Sequence, residues 1–365
     1  MNPTLLLWFA AAGLVVAAFA VGWWIGTRRR SHADPTLSTS RATDAAELVL
    51  RPDRATLGRY RIEREIGRGS MGTVYLGHDP QGGRPVAIKT MALGREFEGS
   101  ELADARARFF REAEMAGRLQ HRDIVTIFDA SEDQGLAFIA MEYVQGHDLL
   151  HHTLPGRLLP VPVVLRTLAR VAHALAHAHA QGVVHRDVKP ANVMIDPASG
   201  SVKVTDFGIA RITDACRTRT GLVLGTPSFM SPEQMAGRDV DGRSDLYSLG
   251  VMLFQLLTGA LPHRSESMAQ LMYEIANDHA PDVRTLRPEL PEALANVVAL
   301  ALEKRPEVRY GDGHQLAADL SALAQAFENH PGLGGAPGVD EVPDSGRFEA
   351  TAKFSRADPR HNADH

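Results

Sequence analysis

The sequence is short of cysteine, lysine and net charge, and each shortage excludes a class of protein. Cys216 is the one cysteine among 365 residues, so neither an internal disulfide nor a metal cluster held by several thiolates can form. The formal net charge of -5 is far from the basic balance of a nucleic-acid-coating protein, and we expect no nucleic-acid partner. The chain has only five lysines, which are Lys89, Lys189, Lys203, Lys304 and Lys353. A lysine that falls within a motif, as Lys89 and Lys189 do, is therefore informative.

One long apolar run lies near the N-terminus. Leu5 to Gly26 contains no charged residue, and 22 residues at about 1.5 Å each span about 33 Å, enough for a helix to cross a bilayer. Arg28-Arg29-Arg30 follows directly, and basic residues on that flank place the rest of the chain in the cytoplasm. A cleaved signal peptide is the alternative, but its positive charge would precede the apolar run. Residues 1–30 are therefore predicted to form a transmembrane anchor with a basic cytoplasmic flank.

Composition divides the remainder into three parts. Residues 31–59 are rich in Ser, Thr, Ala and Asp without sustained periodicity, which is typical of a linker, here next to the membrane. Residues 328–365 begin with a stretch rich in Gly and Pro and continue with mixed charge, which predicts a flexible C-terminal tail. Residues 60–327 between them are predicted to form the folded catalytic domain.

Hydrophobic periodicity within residues 60–327 predicts strands first and helices later. Short strands are expected over Tyr60–Asp79 and Arg84–Met91. Apolar residues at helical spacing predict the helices Ala103–Leu119, Val163–Gln181, Ser244–Thr258, Met268–Asp278, Glu292–Leu302 and Gly313–Phe327. Ser244–Thr258 is almost entirely apolar, so we expect it to be buried. This order of elements favours an α+β fold with two lobes.

A glycine-rich segment, Gly67-Arg68-Gly69-Ser70-Met71-Gly72, lies among the predicted strands. Its spacing also occurs in dinucleotide-binding folds, where the glycines open a helix. Here Thr73-Val74-Tyr75-Leu76 continues with β-forming residues, so the glycines are predicted to form the tip of a hairpin. In the next strand, Val86-Ala87-Ile88-Lys89, alternation places Ala87 and Lys89 on one face and Val86 and Ile88 on the other.

The most informative segment runs from His185 to Asn192 and is followed by Asp206-Phe207-Gly208. It provides a candidate base in Asp187, a cation in Lys189, and two oxygen ligands for a hard metal ion in Asn192 and Asp206. Phosphoryl transfer needs these groups together, because a hydroxyl must be oriented while the charge of the γ-phosphate is neutralised.

With these motifs in this order, the chain resembles the eukaryotic-like (Hanks-type) serine/threonine protein kinase family, of the membrane-anchored type found in bacteria. The resemblance implies a bilobal protein-kinase-like fold with a small β-rich N-lobe and a larger helical C-lobe, preceded by one transmembrane helix. It further implies transfer of the γ-phosphate of ATP to Ser or Thr hydroxyls of proteins, with Mg²⁺, or alternatively Mn²⁺, as the metal. The expected location is the inner membrane, single-pass, with a cytoplasmic kinase domain.

The resemblance also assigns site residues. Lys89 would bind the α- and β-phosphates and pair with a helix carboxylate, for which Glu112 is the candidate and Glu114 the rival. The segment Met141-Glu142-Tyr143-Val144 resembles the hinge between the lobes, where Glu142 and Val144 would bind adenine through their backbones. The full predicted nucleotide-binding set is Ile66, Gly67, Arg68, Gly69, Ser70, Met71, Gly72, Thr73, Val74, Ala87, Lys89, Met141, Glu142, Val144 and Met194.

By the same resemblance, the loop from Asp206 to Glu233 is where regulation would act. Thr226 is the predicted substrate-pocket threonine, and Thr218 and Thr220 are the predicted autophosphorylation sites, phosphorylated in trans within a homodimer. Glu233 is expected to pair with Arg309 across the larger lobe, and Asp245 is expected to tie the buried helix Ser244–Thr258 to the backbone of the catalytic loop, His185–Asn192.

Two alternatives share some of these motifs. A pseudokinase scaffold would bind nucleotide without catalysis, but Lys89, Asp187, Asn192 and Asp206 are all present. A small-molecule kinase of the aminoglycoside type would share the base and metal ligands, but such enzymes generally lack the glycine-rich hairpin and the Ser231-Pro232-Glu233 segment.

Overall fold

In the computed structural model of the chain, residues 56–69, 72–95, 97–207 and 227–329 are described, and they form two lobes. The predicted anchor, the linker up to residue 55 and the tail from residue 330 lie outside these ranges. Among the residues that the structure does describe, no helix combines the length and the apolarity needed to span a membrane.

The small lobe is a six-stranded antiparallel sheet with one helix packed on it. Its strands follow the order β1-β2-β3-β4-β6-β5. They are β1 (Thr56–Leu57), β2 (Tyr60–Gly69), β3 (Gly72–Asp79), β4 (Arg84–Met91), β5 (Ile127–Asp133) and β6 (Leu136–Glu142), and the helix is α1 (Gly99–Gly117).

The alternation predicted for β4 is confirmed. Val86 and Ile88 are fully buried against Phe138 and Tyr60, while Ala87 and Lys89 line the space between the lobes. One face of β4 therefore belongs to the core of the small lobe and the other to the site.

The large lobe is helical. Its helices are α2 (Val161–Ala180), α3 (Pro232–Met235), α4 (Gly242–Thr258), α5 (Met268–Asn277), α6 (Glu292–Ala301) and α7 (Gly313–Asn329). Helix α4 is buried along nearly its whole length, as predicted, because its apolar residues contact α2 on one side and α6 on another. The Asp241 side chain caps its first turn by accepting from the Arg243 amide, and Gly259, at φ 75°, ends it in the left-handed conformation.

A small three-stranded sheet lies below the cleft, and two of its strands contain the chain between the catalytic loop and Asp206. It consists of β7 (His147–Asp148), β8 (Val193–Asp196) and β9 (Ser201–Val204). Val204 at the end of β9 also bonds with the segment that precedes β5, accepting from the amide of Val125 at 2.9 Å and donating to the carbonyl of Asp123 at 2.8 Å. These bonds connect β9, which leads to Asp206, with the segment that enters β5 of the small lobe.

The helices predicted from periodicity are confirmed, with ends that differ by a few residues. The largest difference is at α1, which begins at Gly99 rather than Ala103. Strands β5, β6, β8 and β9 were not predicted, and the small helix α3 was not either.

Two polar contacts hold the large lobe together below the site. The predicted pair between Glu233 and Arg309 is confirmed, with Arg309 donating to both carboxylate oxygens at 2.7 and 2.8 Å and Ser244 donating to one of them. Ser231 is the N-cap of α3 and forms a capping box with Gln234. The side-chain Nε2 of Gln234 also donates to the carbonyl of Arg186 at 2.9 Å, so this cap supports the catalytic loop.

Candidate active site

A cleft of about 750 Å³ lies between the two lobes. It brings together most of the described residues predicted to form the site, although they come from sequence positions up to 140 residues apart. Those lining it are Ile66, Gly67, Arg68, Gly69, Gly72, Val74, Ala87, Lys89, Met141, Glu142, Val144, Asp187, Lys189, Asn192, Met194 and Asp206.

The hairpin of β2 and β3 forms the roof of the cleft. Its glycines differ in whether the surrounding structure leaves room for a side chain. A Cβ atom on Gly72 would lie 1.8 Å from the backbone oxygen of Thr90, and its φ of 140° excludes other residues. A Cβ atom on Gly67 or Gly69 would meet nothing within 4 Å. The fold itself therefore requires Gly72, whereas Gly67 and Gly69 leave open backbone that a ligand can approach.

Not every residue predicted for the roof can be placed there. Ser70 and Met71 lie outside the described residues. Thr73 is opposite Arg68 and Thr90 in the sheet, and its carbonyl accepts from the Thr90 hydroxyl at 3.0 Å. Thr73 is absent from the residues that line the cleft, so its predicted contact with nucleotide stays a prediction.

The inner end of the cleft is apolar and suits a flat ring. Ala87, Val125 and Met141 form a small buried cluster there, with Ile66, Val74 and Val144 packed against it. The amide of Glu142 already donates to the carbonyl of Thr126 at 2.8 Å. The backbone N–H of Glu142 is therefore already committed, and the predicted contact of its carbonyl with adenine stays a prediction.

Lys89 and Asp206 meet in the middle of the cleft. The Lys89 amine lies 2.8 Å from the Asp206 carboxylate, and the Lys89 side chain is 9% exposed. Burial by itself would raise the pKa of Asp206, but the charge and hydrogen bond of Lys89 outweigh it and hold that pKa below its usual value. Asp206 has a positive φ of 65°, an uncommon backbone conformation for a residue other than glycine.

The two candidate partners of Lys89 on α1 have different surroundings. Glu112 is buried on the face of α1 that carries Phe109 and Ala113. Glu114 is exposed and pairs with Arg118 one turn along the helix at 2.6 Å. This favours Glu112 over Glu114. The ion pair that Lys89 makes in the structure is with Asp206, so the Lys89–Glu112 pair stays a prediction.

The proposed base lies in a network of short polar contacts. The Lys189 amine donates to the Asp187 carboxylate at 2.8 Å, and the Asn192 amide nitrogen donates to the same carboxylate at 3.1 Å and to the Asp187 carbonyl at 2.8 Å. Asp187 and Lys189 are about one-quarter exposed, so a substrate can reach them. These contacts hold the carboxylate in one orientation without covering it.

A buried carboxylate holds the loop that carries Asp187. Asp245, 1% exposed on α4, accepts from the amides of His185 and Arg186 at 2.8 and 2.7 Å, and His179 lies 2.7 Å from the same carboxylate. The prediction that Asp245 ties α4 to the catalytic loop is therefore confirmed. Arg186 is held at a positive φ of 68°, which these bonds stabilise.

His185 has a defined hydrogen-bonding arrangement. Its Nδ1 accepts from the Asp187 amide at 3.3 Å, which leaves Nε2 to donate to the carbonyl of Thr205 at 2.8 Å. The ring is fully buried and packs 4.5 Å from the ring of Phe207. His185 thus links the catalytic loop to the residues on either side of Asp206.

The donor set fits Mg²⁺. The Asn192 nitrogen is committed to Asp187, which leaves its amide oxygen for a metal, and the Asp206 carboxylate faces the same cleft. Mg²⁺ typically takes one or two protein oxygens and completes its shell with water and phosphate. Over the described ranges no group of three or more His, Cys, Asp or Glu residues could hold a metal ion, so a transition-metal site of that kind is not found there.

Several predicted residues fall outside the described part of the chain. Thr218, Thr220 and Thr226, together with Cys216, lie within residues 208–226. Their predicted roles in phosphorylation and substrate binding stay predictions.

The cleft also includes residues that sequence reasoning missed. Most lie just beyond the hinge, where no motif marks them and the chain contributes a short 3₁₀ turn at Leu149–His152. The additional lining residues are Val125, Tyr143, His147, Asp148, Leu150, His151, Leu154, Arg157, Ala191 and Thr205. Thr205 could have been inferred from its place before Asp206, and Ala191 and Tyr143 from the predicted segments that contain them. The others depend on the tertiary fold.

Comparison with known proteins agrees with this geometry. The family described as "Protein kinase domain" matches residues 60–320 of the chain. The crystal structure of the Mycobacterium tuberculosis PknI kinase domain superimposes with a TM-score of 0.60 at 32% identity, covering 73% of this chain and 97% of that one.

Curated relatives match over the same part. Serine/threonine-protein kinase Pkn1 of Myxococcus xanthus is 39% identical over 75% of this chain and 39% of its own length. Serine/threonine-protein kinase PrkC of Bacillus subtilis is 37% identical over 74% of this chain and 41% of its own. The match therefore spans only about two-fifths of these relatives, which are longer proteins.

Proposed function

The chain belongs to the protein kinase domain family, and on that premise we propose that it is an ATP-dependent serine/threonine protein kinase. The observation that carries the proposal is the convergence of Lys89, Asp187, Asn192 and Asp206 on one cleft beneath a glycine-rich roof. Both relatives described above are named as serine/threonine kinases, which supports the same substrate class.

The roles of the residues follow from their positions. Asp187 accepts or orients the proton of the substrate hydroxyl, and Lys189, 2.8 Å away, balances the negative charge that gathers on the transferring group. Lys89 holds the phosphates from the small lobe, and Asn192 and Asp206 provide oxygens from the large lobe. Asn192 and Asp206 would hold Mg²⁺, which would supply positive charge to offset that of the phosphates. The residues Ile66, Val74, Ala87 and Met194 exclude water from the ring of the nucleotide.

The decisive experiment measures transfer of labelled phosphate from ATP to a generic protein substrate and to a panel of small alcohols. We expect transfer to Ser and Thr of the protein, and a loss of about 10²–10⁴-fold on Asp187→Asn, the range for removing a general base. Matched nucleotide binding by wild type and Asp187→Asn with no transfer by either would identify a pseudokinase. Transfer only to small alcohols would identify the aminoglycoside-type alternative.

Regulation by loop phosphorylation is part of the proposal. A phosphate on Thr218 or Thr220 would add nearly two negative charges, and Arg186, next to Asp187, provides a guanidinium that can pair with phosphate. The phosphates would be added in trans within a homodimer. Mass spectrometry of enzyme incubated with MgATP should find both sites modified; unmodified threonines in active enzyme would refute this role.

We further propose that residues 1–30 anchor the protein in the inner membrane, with the kinase domain in the cytoplasm. The uncharged run Leu5–Gly26 followed by three arginines supports this arrangement. Membrane fractions should retain the full chain after washing with high salt and carbonate, and a variant lacking residues 1–30 should move to the supernatant with its activity intact.

A further inference from the structure

Lys203 has a side chain that no motif explains. It lies on β9, 14% exposed, and its amine donates to the Glu142 carboxylate at 2.7 Å and to the carbonyl of Ile124 at 3.3 Å. Glu142 is the hinge residue predicted to bind adenine through its backbone, and Lys203 is 61 residues further along the chain. The contact thus joins the hinge to the large lobe by a charged hydrogen bond.

The Glu142 end of this contact is held from two directions. The carboxylate oxygen that accepts from Lys203 also accepts from the Thr126 amide at 3.2 Å, while the Glu142 amide donates to the Thr126 carbonyl at 2.8 Å. Glu142 is therefore bonded through both backbone and side chain to the segment that leads into β5. Lys203 adds the third connection, from the opposite lobe.

The Lys203 end belongs to the strand that positions the metal ligands. Lys203 lies opposite Met194 in the β8–β9 pair, and Met194 lines the cleft. Two residues further on, the Thr205 amide donates to the Asn192 carbonyl at 2.9 Å, and Asp206 follows directly. The strand that carries Lys203 therefore sets the register of one adenine contact and both predicted metal ligands.

We infer that Lys203 is a positioning residue for the nucleotide: by bonding Glu142, it holds the hinge carbonyl at a fixed distance from Met194, Asn192 and Asp206. The inference rests on the proposed function for the identity of the ligand. Lys203 touches no reacting atom. It affects nucleotide binding, because the adenine contact at the hinge and the phosphate and metal contacts in the large lobe must be at the right distance to hold one nucleotide. Its removal leaves the partly buried Glu142 carboxylate without its cation, so the hinge shifts towards water.

The test is calorimetric binding of MgADP to the purified full chain, because ADP reports the site without turnover. Lys203→Met and Glu142→Gln should each raise the Kd for MgADP by about three- to tenfold. A change of this size is typical of losing the interaction between two residues in contact. The double variant should be no weaker than either single one, since each removes the same contact. Lys203→Arg, which keeps the charge and can still bond a carboxylate, should restore binding to near the wild-type value.

A second lysine provides the matched control. Lys304 donates to the Ile275 carbonyl at 2.8 Å and lies near the Tyr247 ring, far from the residues that line the cleft. Lys304→Met should lower the melting temperature and leave the Kd for MgADP unchanged. In phosphotransfer assays Lys203→Met should raise KM for ATP and keep kcat within about twofold, a split that a general loss of folded protein would not produce.

The outcomes separate the inference from the proposed function. A Lys203→Met chain that binds MgADP as tightly as wild type, or tighter, overturns the inference while the kinase proposal stands. Additive losses in the double variant also overturn it, because the two side chains would then act independently. A wild-type chain that binds no MgADP overturns the proposed function, and the inference with it.

Discussion

At the scale of single residues, the roof of the cleft separates what the fold requires from what a ligand requires. Gly72→Ala would place a methyl group against the Thr90 carbonyl at an unfavourable φ, so we expect a loss of about 1–3 kcal/mol of stability. Gly69→Ala enters open space, so we expect an unchanged melting temperature and a KM for ATP raised about several-fold, because the methyl blocks the approach of phosphate. Thermal unfolding followed by circular dichroism and initial-rate kinetics measure the two effects.

Each of the two glycine variants controls for the other. A Gly69→Ala enzyme that loses stability but keeps its KM would show that the hairpin needs this glycine for its own conformation. Equal KM values for Gly69→Ala and wild type would mean that nucleotide does not approach the backbone at this point.

The roles of some single residues could be predicted from the sequence, and those of others could not. Asp187, Asn192 and Asp206 were predictable because the chemistry needs those residue types at short, fixed offsets. The bond between Lys203 and Glu142 was not, because a contact between residues 61 positions apart leaves no periodic or local signal. The same holds for His179, whose contact with Asp245 depends on how α2 packs against α4.

At the scale of secondary-structure elements, length and periodicity decided which could be predicted. The long helices α2, α4 and α7 show repeated apolar spacing over four or more turns, which is a strong signal. Strand β5 is half-buried at every position and β6 is buried at nearly every one, so neither alternates. Strand β6 is a short apolar run, which cannot be told from a piece of buried helix without alternation. Strand β5 is largely polar after Phe128, so it lacks the apolar pattern that marks a strand in the sequence.

The pair between Glu233 of α3 and Arg309 of the loop before α7 carries a prediction at this scale. Glu233 is 5% exposed, and removing one partner of a buried pair leaves an uncompensated charge. We therefore expect Glu233→Gln to lower the free energy of unfolding by about 3–5 kcal/mol at pH 7. Glu114→Gln breaks the exposed Glu114–Arg118 pair and should cost at most about 1 kcal/mol. Urea unfolding followed by circular dichroism compares the two.

The same pair predicts the pH dependence of stability. Burial alone would raise the pKa of Glu233, but hydrogen bonds from Arg309 and Ser244 and the charge of Arg309 lower it below its ordinary value of 4.5. The folded state therefore binds this proton less readily than the unfolded state. Its contribution is complete above about pH 4.5 and is lost as pH falls through the lower, folded pKa.

In urea titrations from pH 7 down to pH 3, the wild-type free energy of unfolding should therefore fall more steeply than that of Glu233→Gln. Parallel curves for the two proteins would show that Glu233 has the same pKa in the folded and unfolded states, contrary to the geometry described above.

At the scale of the whole molecule, the ligand site is divided between the two lobes. Lys89 and Val74 come from the small lobe, and Met194 and Asp206 come from the large one. Besides the Lys203–Glu142 pair at the hinge, an ion pair between Lys89 and Asp206 crosses the cleft in the described part of the chain. A nucleotide with its metal replaces and extends that contact, so binding should stabilise both lobes together.

Thermal unfolding with nucleotide tests this linkage and the metal dependence at once. MgADP at 100 times its Kd should stabilise the wild-type chain by about 2.7 kcal/mol, and chelation of the metal with EDTA should remove most of that gain. In Asp206→Asn the gain with ADP should be small and insensitive to EDTA, while stabilisation by adenosine, which has no phosphates, should match wild type. Asp104→Asn, an exposed position on α1, should behave as wild type throughout. If EDTA lowers the melting temperature of Asp206→Asn as much as that of wild type, the metal is held by other residues and the assignment of Asp206 is wrong.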